Sequence, residues 1–201
     1  VDTAEFTLEG RAMRTVRQPM ISSHRSAGSD AGVRRAWGPL FDAYGVDLVV
    51  SGHEHHYERS HPVRGTLPNE ARTPVPVATR TDVIDTGKGT VHMVIGAGGN
   101  IATSQDDLFD TPQARVLVGL KDDKTSSGHR EPVWIPEEAP WAAVQDRTYN
   151  RGFAAFDVDP GDRREGVTRM RVTYYTFDGP HGDLTPVDTF SLQRPRSDAR
   201  H

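Results

Sequence analysis

Gly52-His53-Glu54-His55 carries the strongest chemical signal in the chain. Two imidazoles spaced two residues apart can ligate a cation of the zinc, iron or manganese type. The apolar run Val46-Asp47-Leu48-Val49-Val50-Ser51 just before them reads as a buried strand. A loop leaving the end of such a strand can aim both rings at one point above a sheet. Gly52 offers that loop a position where the backbone turns without a Cβ penalty. A second reading stands beside the first: a surface loop rich in histidine, since His56 and His61 follow closely.

The elements that must hold this loop are legible around it. Residues 30–44 read as a helix, with Val33, Trp37, Leu40, Phe41 and Tyr44 on one stripe. Ser29 or Asp30 can cap its start, and Gly45 suits the position after its end. Gly38-Pro39 is expected to kink or split it. Helix, strand and ligand loop follow in the order of an α/β unit with its chemistry at the strand's C-terminal edge. Residues 62–78 read as loop, broken by Pro62, Pro68, Pro74 and Pro76. Residues 83–85 and 90–95 flank Thr86-Gly87-Lys88-Gly89 and read as a hairpin.

Further along, residues 103–150 form a long polar stretch. A structureless loop of that length is unusual, so some helix is expected around 110–117 or 139–146. Trp134 and Trp141 are expected to pin it to the core. Residues 153–158, 168–177 and 187–192 read as antiparallel strands. Gly96-Ala97-Gly98-Gly99-Asn100 lacks the G-x-G-x-x-G spacing of a nucleotide loop and reads as a turn at the rim of the site. His92 lies within a strand pattern and reads as a core histidine. His129 and His181 sit in loops and carry no signal.

Composition narrows the function classes. The chain has 201 residues, enough for one domain with a sizeable core. Hydrophobic residues make up 35% and mean hydropathy is −0.61, which suits part of a larger domain. The net charge of −4 argues against a general nucleic-acid surface. With no cysteine, disulfides and thiolate metal sites are excluded. No apolar run approaches the ~20 residues that span a bilayer, and no partner membrane is expected. Val1 to Arg17 shows no apolar core of a signal peptide, and the compartment stays open.

The segment around the histidines also carries a family resemblance. Val46 to Ser60 closely resembles the Gly-His-x-His-x-Tyr-Glu-Arg segment of purple acid phosphatases, within the calcineurin-like metallophosphoesterases. Gln18-Pro19, Ser22-Ser23-His24 and Trp37-Gly38-Pro39-Leu40-Phe41 are similar to the family upstream. Residues 89–100 and Arg151-Gly152-Phe153 are similar to it downstream. The likeness covers residues 17–195 and implies an α/β fold: the C-terminal half of a metallophosphoesterase β-sandwich flanked by helices, in α/β/β/α layers. Residues 1–16 depart from the pattern, with no strand-like alternation, and read as a non-homologous start or a diverged strand. Residues 196–201 read as a polar tail.

By that resemblance, His53 would ligate a divalent ion and His55 a trivalent iron, in a pair of iron with zinc, manganese or iron. His24 would contact the phosphate and assist the leaving group, as a proton donor at mildly acidic pH. Tyr57, Glu58 and Arg59 would hold the ligand loop. The family's Asp-x-His, Gly-Asp-x-x-Tyr and Gly-Asn-His blocks do not occur in this chain, and Arg17 stands where a ligand histidine is expected. Arginine cannot ligate a cation. The implied activity is hydrolysis of a small phosphate ester at a dinuclear metal centre, with the chain expected to be truncated, to bind metal weakly and to be inactive as written. A phosphodiesterase or nucleotidase of the same superfamily and a non-catalytic fragment or binding module remain alternatives.

Overall fold

The computed structural model describes residues 3–8, 11–16, 19–99, 105–124, 128, 130–148, 151–161, 166–179 and 181–196. The expectations for Arg17, Asn100 and His129 lie outside them.

The chain opens with an antiparallel hairpin of β1 (Thr3–Leu8) and β2 (Arg11–Val16), where no strand pattern is visible in the sequence. A short β3 (Ser29–Asp30) leads into helix α1 (Ala31–Tyr44). Asp30 caps α1 as expected: its carboxylate accepts the Val33 backbone N–H at 2.9 Å. Gly45 closes the helix in the left-handed conformation, φ 57°. Pro39 does not split the helix, which runs unbroken through it. Packing accounts for that, since Val33 and Phe41 join the cluster of Met20, Val63 and Trp141.

The buried face of α1 is only partly the expected stripe, since Val33 and Phe41 pack against the core. Ala31, Arg34 and Gly38 face inward, while Trp37, Leu40 and Tyr44 are exposed. Arg34 is fully buried because it is fully paired. It meets both carboxylate oxygens of Glu137 at 2.6 and 2.9 Å and donates to the carbonyls of Met20 and Ala71.

After α1 come β4 (Leu48–Ser51), β5 (Tyr57–Ser60), β6 (Val63–Thr66), β7 (Pro74–Pro76), β8 (Val83–Asp85) and β9 (Val91–Ile95). The proline-rich stretch read as loop therefore holds the small β6–β7 pair. The hairpin expected over 83–95 does not form. β8 pairs in parallel with a C-terminal strand, while β9 pairs with β4 and β5 in another sheet. Long-range pairing overrides the local turn signal.

The helix expected in the polar stretch is also absent among the described residues. The stretch holds a short 3-10 turn, Gln105–Asp107, then β10 (Gln113–Lys124), β11 (Arg130–Glu138) and β12 (Ala142–Gln145). β10 and β11 form an antiparallel ribbon to which β3 adds in parallel. Trp141 is buried as expected, and Trp134 is half-buried beneath the Arg115 guanidinium. The expected C-terminal strands are present as β13 (Arg151–Asp159), β14 (Val167–Phe177) and β15 (Thr185–Pro195), all antiparallel.

The architecture is an α/β sandwich in which strands predominate. One sheet has the order β12-β5-β9-β4 and the facing sheet β13-β14-β15-β8. They share one core: Tyr57, Val91 and Met93 of the first meet Ile84, Val172, Tyr174, Phe190 and Leu192 of the second. Helix α1 lies on the other face of the first sheet, where Phe41 meets His92 edge to face. His92 is thus a core residue, as expected, and burial pushes its pKa down to about 3. β4 is not the buried strand that its sequence suggests. It is the edge of its sheet, and Val50 is 46% exposed.

Candidate active site

The loop between β4 and β5 leaves the C-terminal end of β4 as expected, but the turn is made differently. His53, not Gly52, takes the left-handed backbone, with φ 75°. A histidine in that region is uncommon, and such outliers concentrate at functional sites. Burial alternates along the loop: His53 is exposed, Glu54 buried, His55 half-buried and His56 buried. His53 and His55 are therefore the more exposed positions of the loop, while Glu54 and His56 lie on its inner side with Glu58.

Gly96, at the end of β9, makes this approach possible. A Cβ there would lie 1.8 Å from the Glu54 carbonyl oxygen. The Gly96 N–H also donates to the His56 carbonyl at 3.2 Å. The glycine-rich segment is thus a rim element of the site, as its sequence suggests.

On the inner side, Glu58 binds two loops together. Its carboxylate accepts the Ser23 backbone N–H at 3.0 Å and the Ser23 hydroxyl at 2.7 Å. It also lies 2.9 Å from His56 Nε2. Burial alone would raise the Glu58 pKa; His56 and the hydrogen bonds from His56 and Ser23 outweigh it and hold the carboxyl below its usual range. Gln145 extends the network by donating to the Ser23 hydroxyl at 2.6 Å.

This clamp seats His24 against the loop. The His24 ring stacks on His56 with centroids 5.7 Å apart, and its Nδ1 lies 3.5 Å from Glu54 Oε2. Nδ1 accepts the backbone N–H groups of Ser26 at 3.1 Å and Ala27 at 3.2 Å. The proton of the neutral ring is therefore on Nε2, which is left as a donor. Burial, with the neighbouring His56, lowers the His24 pKa to about 4. Burial raises Glu54 to about 7. Between those values both groups are neutral, so their contact is not an ion pair. In that neutral form His24 can still offer a phosphate oxygen a hydrogen bond from Nε2.

Tyr57 and Arg59 anchor the far side of the loop as expected. Tyr57 donates to Asp188 at 2.6 Å and stacks on Tyr174 with centroids 3.9 Å apart. Arg59 pairs with Asp188 at 2.7 Å and lies over the Phe190 ring. Both contacts cross the sandwich core.

The roles of Glu54, His56 and Gln145 escape a reading of the sequence. The alternation of Glu54, His56 and Glu58 was the available signal. Glu54 Oε1 and His56 Nδ1 are buried with no hydrogen-bond partner. No group of three or more His, Cys, Asp or Glu among the described residues is arranged to hold a metal ion. His53 and His55 alone fall short of the three protein ligands that catalytic metal sites usually keep.

No family model matches the chain. It is 50% identical over 169 residues to an uncharacterized protein found in two strains of Mycobacterium tuberculosis, matching 84% of this chain and 32% of the relative. The chain thus spans 32% of the length of these curated relatives. It is 35% identical over 111 residues to an acid phosphatase of Aspergillus ficuum, matching 51% of this chain and 17% of that protein. That likeness is a distant, family-level one. Among solved structures, a purple acid phosphatase from yellow lupin (Lupinus luteus) seeds aligns over 89% of this chain and 24% of its own, with 18% identity and a TM-score of 0.49.

Proposed function

We propose that the chain carries the C-terminal part of the catalytic domain of an acid-phosphatase-like phosphoric ester hydrolase. His53 and His55 supply imidazoles to a dinuclear metal centre, and His24 contacts the phosphate of a small ester. The supporting observation is the Ser23–Glu58–His56 clamp, which seats the His24 loop against the loop that bears His53 and His55. The distant sequence likeness to an acid phosphatase supports the same reaction class.

The described residues do not by themselves fit a dinuclear centre. Two imidazoles without a bridging carboxylate bind metal weakly. What the chain does supply is a His24 whose Nδ1 is held by backbone N–H groups, leaving Nε2 as the donor, and a loop fixed at Glu58 and Asp188. Taken alone, the chain holds part of a site and does not turn over.

The test is hydrolysis of p-nitrophenyl phosphate by the 201-residue chain and by its His55→Ala variant, with iron, zinc or manganese added. Neither is expected to exceed the uncatalysed rate. Elemental analysis after dialysis should find well under two metal ions per chain. Turnover by the parent that His55→Ala removes would overturn the reading of an incomplete site.

A further inference from the structure

A cleft of about 240 Å³ opens against the His24 loop, lined by Phe109, Ala114, Arg115, Trp134, Ile135 and Pro136. Its walls are mostly apolar, and two of them are aromatic. Glu137 lies there too, but its carboxylate is taken up by Arg34. Arg115 forms no ion pair among the described residues; its one hydrogen bond there goes from Nη2 to the Ser26 carbonyl. The charge that a ligand in this cleft would meet is therefore the Arg115 guanidinium.

The cleft is tied to His24 from two sides. The Phe109 N–H donates to the Ser23 carbonyl at 2.9 Å, and Leu108 bridges His24 itself. Arg115 holds the Ser26 carbonyl. Gly28, at the end of the same loop, packs so closely that a Cβ would lie 2.7 Å from the Arg115 carbonyl oxygen and 2.9 Å from Trp134 Cζ3. The Arg115 charge is felt at both His24 and Glu54, which sets the guanidinium beside the site.

The lining is held in place before any ligand arrives. The Phe109 carbonyl accepts from Gln145 at 3.1 Å and from Arg147 at 2.9 Å. Arg115 lies over the Trp134 ring, 4.0 Å from its centroid. Arg115 Nε is buried with no hydrogen-bond partner, and a buried donor left unpaired costs stability. Guanidinium meets phosphate through a fork of N–H groups, and the unpaired Nε is one half of such a fork. Size narrows the rest of the ligand. An apolar cavity of about 150 Å³ is enough for benzene, and pockets for drug-sized ligands begin at about 300 Å³. A cleft of about 240 Å³ takes a single aromatic ring rather than a nucleoside.

We propose that this cleft is the leaving-group subsite for a small aryl phosphate monoester, with Arg115 meeting its phosphate and Phe109 and Trp134 flanking its ring. The leaving-group role rests on the phosphatase reading of His24.

The test is an NMR titration of the 201-residue chain with phenylphosphonate and with methylphosphonate, neither of which turns over, following the backbone amides of residues 26–28 and 115. Phenylphosphonate is expected to bind at least about tenfold more tightly, because its ring leaves water. Trp134→Ala and Phe109→Ala should each cut that preference to about threefold or less and keep methylphosphonate binding. Arg115→Gln should weaken both ligands about tenfold or more and leave their ratio unchanged. If Trp134→Ala fails to fold, Phe109→Ala decides. Equal affinity for the two phosphonates, no binding of phenylphosphonate, a preference that persists in either folded ring variant, or an Arg115→Gln variant that binds like the parent would each overturn the proposal. The readout is binding without turnover. An aryl preference that holds where no ester is hydrolysed keeps the cleft as an aryl-phosphate site and counts only against the phosphatase reading.

Discussion

Gly96→Ala isolates the contact on which the site's geometry depends. The added methyl would sit 1.8 Å from the Glu54 carbonyl oxygen and 2.7 Å from its carbonyl carbon. The neighbour is backbone, so no side-chain rotation relieves the clash, and the His53–His56 loop must retreat by well over an ångström. Overpacking of this kind costs about 1–3 kcal/mol. Loss of the Gly96 N–H bond to His56 adds about 1 kcal/mol. Gly96 has no left-handed backbone, so alanine returns about 0.4–1 kcal/mol by restricting the unfolded chain. The net expectation is a loss of about 2–3 kcal/mol, or roughly 5–10 °C in Tm for a chain of this size. Urea and thermal unfolding of Gly96→Ala and Gly52→Ala provide the assay. A Cβ on Gly52 meets nothing within 4 Å, so that variant should match the parent within about 0.5 kcal/mol. A Gly96→Ala variant as stable as the parent, or a Gly52→Ala variant as damaged as Gly96→Ala, refutes the reasoning.

Two further expectations concern buried charge. Glu137→Leu leaves the buried Arg34 guanidinium without its carboxylate and should cost about 3–5 kcal/mol in urea unfolding. Arg34→Met combined with Glu137→Leu should cost less than Glu137→Leu alone; an additive loss would show that the pair is not coupled. The second expectation is a pH dependence. Glu54 is raised from 4.5 to about 7, so between those values the folded state holds a proton that the unfolded state has lost, and this contribution to stability falls as pH rises. His24 is lowered from 6.5 to about 4, so over nearly the same window its contribution rises with pH. The two oppose each other in the parent. Glu54→Gln removes the falling one, so its stability should rise with pH more steeply than the parent's, by up to about 1.4 kcal/mol per pH unit between pH 5 and 7. Parallel profiles at pH 5, 6 and 7 would count against the raised Glu54 pKa.

The sequence is most readable where local chemistry decides the structure. Asp30 and Gly45 mark the ends of α1 because capping is a local hydrogen-bond requirement. β13 to β15 are visible because apolar residues and turns recur at short range. β8 and β9 mislead because a turn signal cannot say that its two flanks join opposite sheets. Residues 113–117, inside one of the two places where helix is expected, instead open β10, which is held by a partner strand later in the chain. Within the site, the motif shows the position of His53 and His55. The inner network of Ser23, Glu54, His56 and Glu58 depends on which side of the loop packs inward, and only the meeting of two loops decides that. Exposure of Trp37, Leu40 and Val50 runs against their hydrophobicity, and no local pattern announces that a sheet will end at β4.

The central claim is that His24 and the His53–His55 loop form part of a phosphoester-hydrolysing site. Its most direct test grafts residues 19–196 in place of the matched 169 residues of the Mycobacterium relative, as one polypeptide. The steady-state rate on p-nitrophenyl phosphate is then measured with and without His55→Ala. The expected result is metal-dependent hydrolysis by the chimera, reduced at least about a hundredfold by His55→Ala, on the scale of losing an outer-shell or ligand contact to the metal. No hydrolysis by the chimera, or a rate that His55→Ala leaves unchanged, contradicts the account.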